Sequence, residues 1–231
     1  MMARRNILLT ISLMITGLCS IAQSIPEQDV IDFAVNPGGR LDEIGLPPAE
    51  VEGTGFLDEE WRLGSLKLYN LDTIGNLLLR YDVLNGYVEI TRDREKIRIA
   101  HLSIIESFIF DNSRIFRNTR AFKPSSNLTS KLTGVFEVLY ENGDVLFTRY
   151  YEVDKKQSTY VPAFDVGNRS EQLLLKDEDY LIKNGVYYKV PQSKNAFSKL
   201  MMEEFNVELK EKINPKKTDE VIAFINQNLT N

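Results

Sequence analysis

One histidine and one cysteine in 231 residues leave this chain poor in the side chains that most often carry out chemistry. A zinc site draws three or four ligands from Cys, His and carboxylates, so neither a metal nor a cofactor is expected. His101 could act as a general base only beside an activated nucleophile, and no Gly-x-Ser-x-Gly elbow supplies one. It shares strand parity with Ile97 and Ile99, so it is expected to pack at the core rather than catalyse. Glycine-rich phosphate loops are missing as well. So is a basic excess: 28 Lys and Arg face 33 Asp and Glu, a net charge of −5, which argues against a nucleic-acid partner.

The N-terminus is apolar in a particular way. Arg4 and Arg5 precede a run from Ile7 to Ile15, broken by Thr10 and Ser12, that continues through Gly17 and Leu18. Ser20-Ile21-Ala22 then sets small residues three and one positions before Gln23. A basic start, a short apolar stretch and a small-x-small site form a secretory signal, expected here over residues 1–22. The run is too short for a spanning helix, which needs about 20 apolar residues, and charges interrupt every later apolar segment. No transmembrane segment is therefore expected once the signal is removed. Lipidation at Cys19 is the alternative, but Leu18 stands where a lipoprotein signal carries a small residue. Cleavage after Ala22 leaves 209 residues, a net charge of −7 and no cysteine, so the mature chain must stand on its core without disulfides.

Acidity is concentrated in one place. From Ser24 to Glu60 there are ten acids and one base, Arg40, with four of the eight prolines and five of the thirteen glycines. Pro37-Gly38-Gly39 and Pro47-Pro48 break regular structure, so residues 23–52 read as an extended acidic arm with a short ordered piece at Val30–Val35. The remainder, 53–231, reads as a single domain. Residues 61–231 carry 25 bases against 23 acids, so the body is nearly neutral.

That body reads as strands. Leu77, Leu79, Tyr81 and Val83 alternate with Leu78, Arg80, Asp82 and Leu84, and Asn85-Gly86 leads into Tyr87–Thr91. Strand, Asn-Gly, strand predicts a type I′ hairpin, whose two central residues need positive φ. The device recurs at Asn142-Gly143 and Asn184-Gly185, while 62–69, 96–102 and 104–110 add further strands. About eight strands with tight turns predict a mainly β protein, an antiparallel sandwich or barrel. After Pro191 the spacing becomes helical. Ser193 is placed to cap a helix carrying Phe197, Leu200 and Met201 on one face. Val207, Leu209 and Ile213 suggest a weaker helical piece, and Thr218 is placed to cap a last helix with Val221, Ile225 and Leu229. Both stripes are expected to pack on the sheet.

Gly53-x-Gly55-Phe56-Leu57-x-x-x-Trp61, Leu79-x-Tyr81, the Tyr180–Gly185 hairpin and lysine-rich terminal helices, after a signal ending Ala-Gln, resemble a group of exported proteins of the Bacteroidota. The resemblance covers most of 53–231 and implies a periplasmic or outer-membrane-facing location, or secretion. That group has no assigned activity, so it implies no site residue. Asp72-Thr73-Ile74 is similar to the glycan-acceptor tripeptide of that phylum's exported proteins, but an ordinary turn is the favoured reading of these three residues.

Carboxylates are the only plentiful reactive groups. Asp58-Glu59-Glu60 and Asp177-Glu178-Asp179 are the tightest clusters, and two acids facing across a cleft could hydrolyse a glycoside. Neither run has the spacing of a calcium loop, and acid runs beside turns are usually solvated. Residues 114–131 hold Arg114, Arg117, Arg120, Lys123 and Lys131 without an acid, and read as a solvated connection. The expectation is a non-catalytic envelope protein with a protein or glycan partner, and no catalytic, cofactor or metal residue. The alternatives are a hydrolase using Asp58, Glu59, Asp177 or Asp179, and a small-ligand carrier, which would need an apolar cavity inside a barrel.

Overall fold

The computed structural model describes residues 51–111, 113–128, 130–157, 170–209 and 213–229. The expected signal peptide, the Cys19 alternative and nearly all of the acidic arm lie outside them. The protein is mainly β with helices at its C-terminal end. The strands are β1 (Val51–Glu52), β2 (Arg62–Leu68), β3 (Thr73–Asp82), β4 (Tyr87–Thr91), β5 (Arg98–His101), β6 (Ile105–Phe110), β7 (Ile115–Asn118), β8 (Lys123–Pro124), β9 (Val135–Asn142), β10 (Val145–Lys156), β11 (Glu171–Lys183) and β12 (Val186–Lys189). Two helices follow, α1 (Lys194–Phe205) and α2 (Thr218–Asn228).

Where about eight strands were expected, twelve join one sheet ordered β5-β4-β3-β2-β6-β7-β9-β10-β11-β12-β8, with β1 beside β11. The extra strands are short. Three of them, β7, β8 and β1, come from segments that read as connection or arm. The 114–131 segment is not a solvated loop: Phe116 is fully buried, and Arg114, Arg117 and Arg120 each bind protein oxygens.

The first half of the sheet is strongly curled. Tyr81 on β3 and Phe116 on β7 are three strand steps apart, about 14 Å on a flat sheet. Their ring centroids lie 6.4 Å apart, with Phe108 between them, stacked on Phe116 at 4.5 Å. Leu66, Leu77, Leu79, Val88, Ile90, Ala100 and Ile105 complete this core. The second half, β9–β12, is buried on both faces. Val145, Phe147 and Leu181 meet Phe197, Met201, Phe205, Val221, Phe224 and Ile225 of the helices. On the reverse face Phe136, Leu146, Tyr180, Ile182 and Tyr187 are covered by Phe122, Leu128 and Leu132 from the former connection.

The three Asn-Gly turns differ. Asn184 and Gly185 both have positive φ, 50° and 74°, and Lys183 pairs with Val186, which is the type I′ pattern. Asn142 instead pairs with Val145, so the turn is Gly143-Asp144, with positive φ at the glycine alone. Asp82 pairs with Tyr87 and encloses four residues, because the Asp82 carboxylate accepts from Asn85 N–H and Nδ2, both at 2.8 Å, and draws the loop inward.

In α1 the Ser193 hydroxyl accepts from Ala196 N–H at 3.2 Å, as its position predicts, and Asn206 closes the helix in the left-handed conformation. The expected helical piece after it is absent among the described residues: Val207, Leu209 and Ile213 pack on the core as irregular chain. Thr218 does not cap α2. Lys217 holds the cap position without a side-chain bond, and the Thr218 hydroxyl accepts from Arg149 instead.

Candidate functional site

The face shared by both lobes carries a charged row between two apolar cores. Register places Glu137 on β9 opposite Arg149 on β10, and Arg149 opposite Asp179 on β11. Arg114, just before β7, donates Nε–H and Nη2–H to the two oxygens of Glu137 at 2.6 and 3.2 Å, and Nη1–H to Asp58 at 3.1 Å. The Tyr151 hydroxyl donates to the same Glu137. Arg149 holds Asp179 through two bonds, at 2.8 and 3.2 Å, and pairs with Asp177 at 3.2 Å. Asp179 raises the Arg149 pKa above the ordinary arginine value, against the effect of burial. At Arg114 burial works to lower the pKa, and Glu137 outweighs it.

A third arginine is clamped on the outer face. Arg80 lies 4.1 Å from the Phe56 ring and 4.7 Å from the Trp61 ring, and donates to Oε2 of the buried Glu89 at 2.7 and 2.9 Å. Gly55 accepts the N–H groups of Val83 and Leu84, and a Cβ there would meet Leu84 at 2.8 Å. The glycine and aromatic residues of this stretch therefore fasten it over β3 and β4.

Beside the charged row, at the end of the curled lobe, lies a pocket of about 330 Å³. Tyr81, Tyr150, Tyr151, Asn85, Thr133 and Glu152 line it with the β3–β4 loop. Tyr150 is fixed by a bond from its hydroxyl to the Thr133 carbonyl at 2.9 Å, with its ring over Gly134. Tyr81 is 3% exposed, and its hydroxyl has no hydrogen-bond partner among the described residues. Burial pushes the phenols of Tyr81, Tyr150 and Tyr151 upward, so they remain neutral donors at physiological pH.

The acids singled out from the sequence are not gathered into one cleft. Asp58 serves Arg114 and Arg62, Asp177 and Asp179 share Arg149, and the Glu59 side chain is exposed while its carbonyl accepts from Arg80. Asp177-Glu178-Asp179 lies inside a strand, not beside a turn. His101 does not face the core: it is exposed on the edge strand β5, where Ala100 takes the inward position, and its ring meets Tyr87 edge-on at 6.4 Å. Among the described residues no three His, Cys, Asp or Glu are grouped to hold a metal. No described helix is long and apolar enough to cross a membrane. Sequence reasoning missed Glu137 and the tyrosines. A lone acid within Val135-Phe136-Glu137-Val138-Leu139 was the available signal for the first, and the Tyr150-Tyr151 doublet for the second.

No family model, no curated protein and no solved structure matches the chain.

Proposed function

We propose that this is an exported, non-catalytic protein of a bacterial cell envelope, periplasmic, outer-membrane-associated or secreted, that binds a glycan in the tyrosine-lined pocket. Of the two partner classes open from the sequence, protein and glycan, the pocket favours the glycan. The observation that carries this is that the buried Tyr81, whose hydroxyl has no hydrogen-bond partner among the described residues, lines the pocket together with Tyr150, Tyr151 and Glu152. Sugars are held by aromatic faces against their C–H groups and by a few fixed polar groups, and this pocket offers both within the size range of small-ligand clefts. A hydrolase is disfavoured because Asp58, Asp177 and Asp179 are engaged by arginines. An apolar carrier is disfavoured because side chains fill both cores.

Placement with the exported Bacteroidota proteins is part of the proposal. Its support is that Gly55, Phe56 and Trp61 of the shared motif each have a defined structural use. The curl of the first lobe supports reading it as an incomplete barrel.

Calorimetric titration of the mature chain with peptidoglycan fragments, capsular oligosaccharides and lipopolysaccharide-core oligosaccharides tests the reading. One class should bind, and Tyr81→Phe, which keeps the ring, should weaken it about tenfold, or 1.4 kcal/mol. Release of new reducing ends, or binding indifferent to both Tyr81→Phe and Tyr150→Ala, would overturn it.

A further inference from the structure

The pocket beside the charged row holds an uneven stock of hydrogen-bonding groups. No lysine, arginine or histidine lines it. Its one carboxylate is that of Glu152, which is exposed on β10 and makes no hydrogen bond or ion pair among the described residues. Lys176 stands opposite Glu152 in the β10–β11 register, but its ammonium donates to Asp154 at 2.6 Å. The lining carboxylate is left without a bonded cation.

The donors, by contrast, are mostly spent. Tyr150 gives its hydroxyl proton to the Thr133 carbonyl at 2.9 Å, and Tyr151 gives its own to Glu137. Asn85 directs its side-chain amide at the Asp82 carboxylate, 2.8 Å away. A phenol that has donated keeps its oxygen lone pairs, so Tyr150 and Tyr151 add acceptors to that of Glu152. Of the three phenols only Tyr81 keeps its proton uncommitted among the described residues. The cations that act on Tyr151, Arg114 and Arg149, are themselves held by Glu137 and Asp179.

We infer that the pocket takes an amino sugar with a free, protonated amine, in preference to its N-acetylated, uronic-acid or phosphorylated counterparts. This rests on the glycan reading and narrows it. An ammonium brings three donors and no acceptor, which matches a lining rich in acceptors and short of donors. It also gains from tyrosine rings, whose π faces attract a cation. An acetamido group carries one N–H and no charge, so it leaves the Glu152 carboxylate unanswered. A uronate or phosphate would bring further acceptors to the lining, and its charge would oppose that of Glu152.

Calorimetric titration of the mature chain with tetrasaccharides of glucosamine, N-acetylglucosamine and galacturonate tests this. The medium is held at about pH 6, below the range in which amines lose their proton. The glucosamine oligomer should bind at least about tenfold more tightly than either of the others. Glu152→Gln, at an exposed position, should cut that advantage about fivefold, the modest scale of an exposed ion pair. Equal binding of the glucosamine and N-acetylglucosamine oligomers, still weakened by Tyr81→Phe, overturns the inference and leaves the glycan reading standing. A glucosamine preference undiminished in Glu152→Gln overturns it as well, and so does binding of none of the oligomers. Glucosamine binding that neither Glu152→Gln nor Tyr81→Phe alters overturns this inference and the glycan pocket together.

Discussion

Glu137 accepts from Tyr151 and Arg114 at once, so a carboxylate with a side chain only 8% exposed is held by a phenol on one side and a guanidinium on the other. Removing it takes from the part-buried Arg114 its two-bond carboxylate partner and leaves Tyr151 without this acceptor. Glu137→Ala should therefore lose about 2–4 kcal/mol of stability, as expected when one partner leaves a buried pair. Glu137→Leu with Arg114→Met should recover part of that loss. Equilibrium urea unfolding measures both.

The Asn-Gly turns allow a comparison within one molecule. Asn184 sits at φ 50°, a conformation that costs most side chains about 1–2 kcal/mol, so Asn184→Ala should destabilise by about 1 kcal/mol. Asn142 has no positive φ and ends a strand, so Asn142→Ala should cost less, chiefly its contact with the Tyr140 hydroxyl. Equal losses at the two sites would contradict the turn assignment.

Acid should weaken the second lobe through Glu178. Burial works to raise its pKa, but hydrogen bonds from Lys189 and Tyr180 prevail and hold it below the ordinary 4.5. A lowered folded value means the stabilisation is complete above pH 4.5 and is lost as pH falls through the folded pKa. Glu178→Gln should be less stable than the parent at pH 7, and the difference should shrink at an acidic pH well below the ordinary carboxylate value. Urea midpoints at the two pH values read this directly.

The helices supply six of the ten buried residues in their core. Phe197 is fully buried against Phe224, with ring centroids 6.1 Å apart, so Phe197→Ala should cost about 3–5 kcal/mol. A chain ending at Val190 would expose Val145, Phe147 and Leu181 together and should aggregate. A soluble truncated protein with an unchanged melting temperature would show that the helices form a separate module.

What could be read from the sequence was local. Ser193 caps α1 because the cap, its N–H partner and the apolar stripe lie within one turn of chain. The β3–β4 and β11–β12 hairpins were visible because alternation and Asn-Gly act over a few residues. Distance along the chain hid the rest. Arg114 finds Glu137 across 23 residues and Asp58 across 56, and neither pairing leaves a local trace. Thr218 looked like a cap but faces Arg149, 69 residues away. His101 was misplaced because parity alone does not say which side of an edge strand is inside; packing gave that side to Ala100. The pocket was illegible for the same reason, since Tyr81, Thr133 and Tyr150 come from three separate segments.

The row Glu137, Arg149, Asp179 also bears on how the chain finds its pairing. Side chains alternate along a strand, so sliding β10 by one residue would turn Arg149 to the reverse face, among Phe136, Tyr180 and Tyr187. An unpaired guanidinium there would be desolvated without compensation, so that alignment is rejected even though both faces are apolar enough to tolerate it on hydrophobicity alone. The charges thus proofread the assembly of the sheet: they mark the one alignment in which two greasy surfaces, each indifferent to a slip, agree on where the strands must stop.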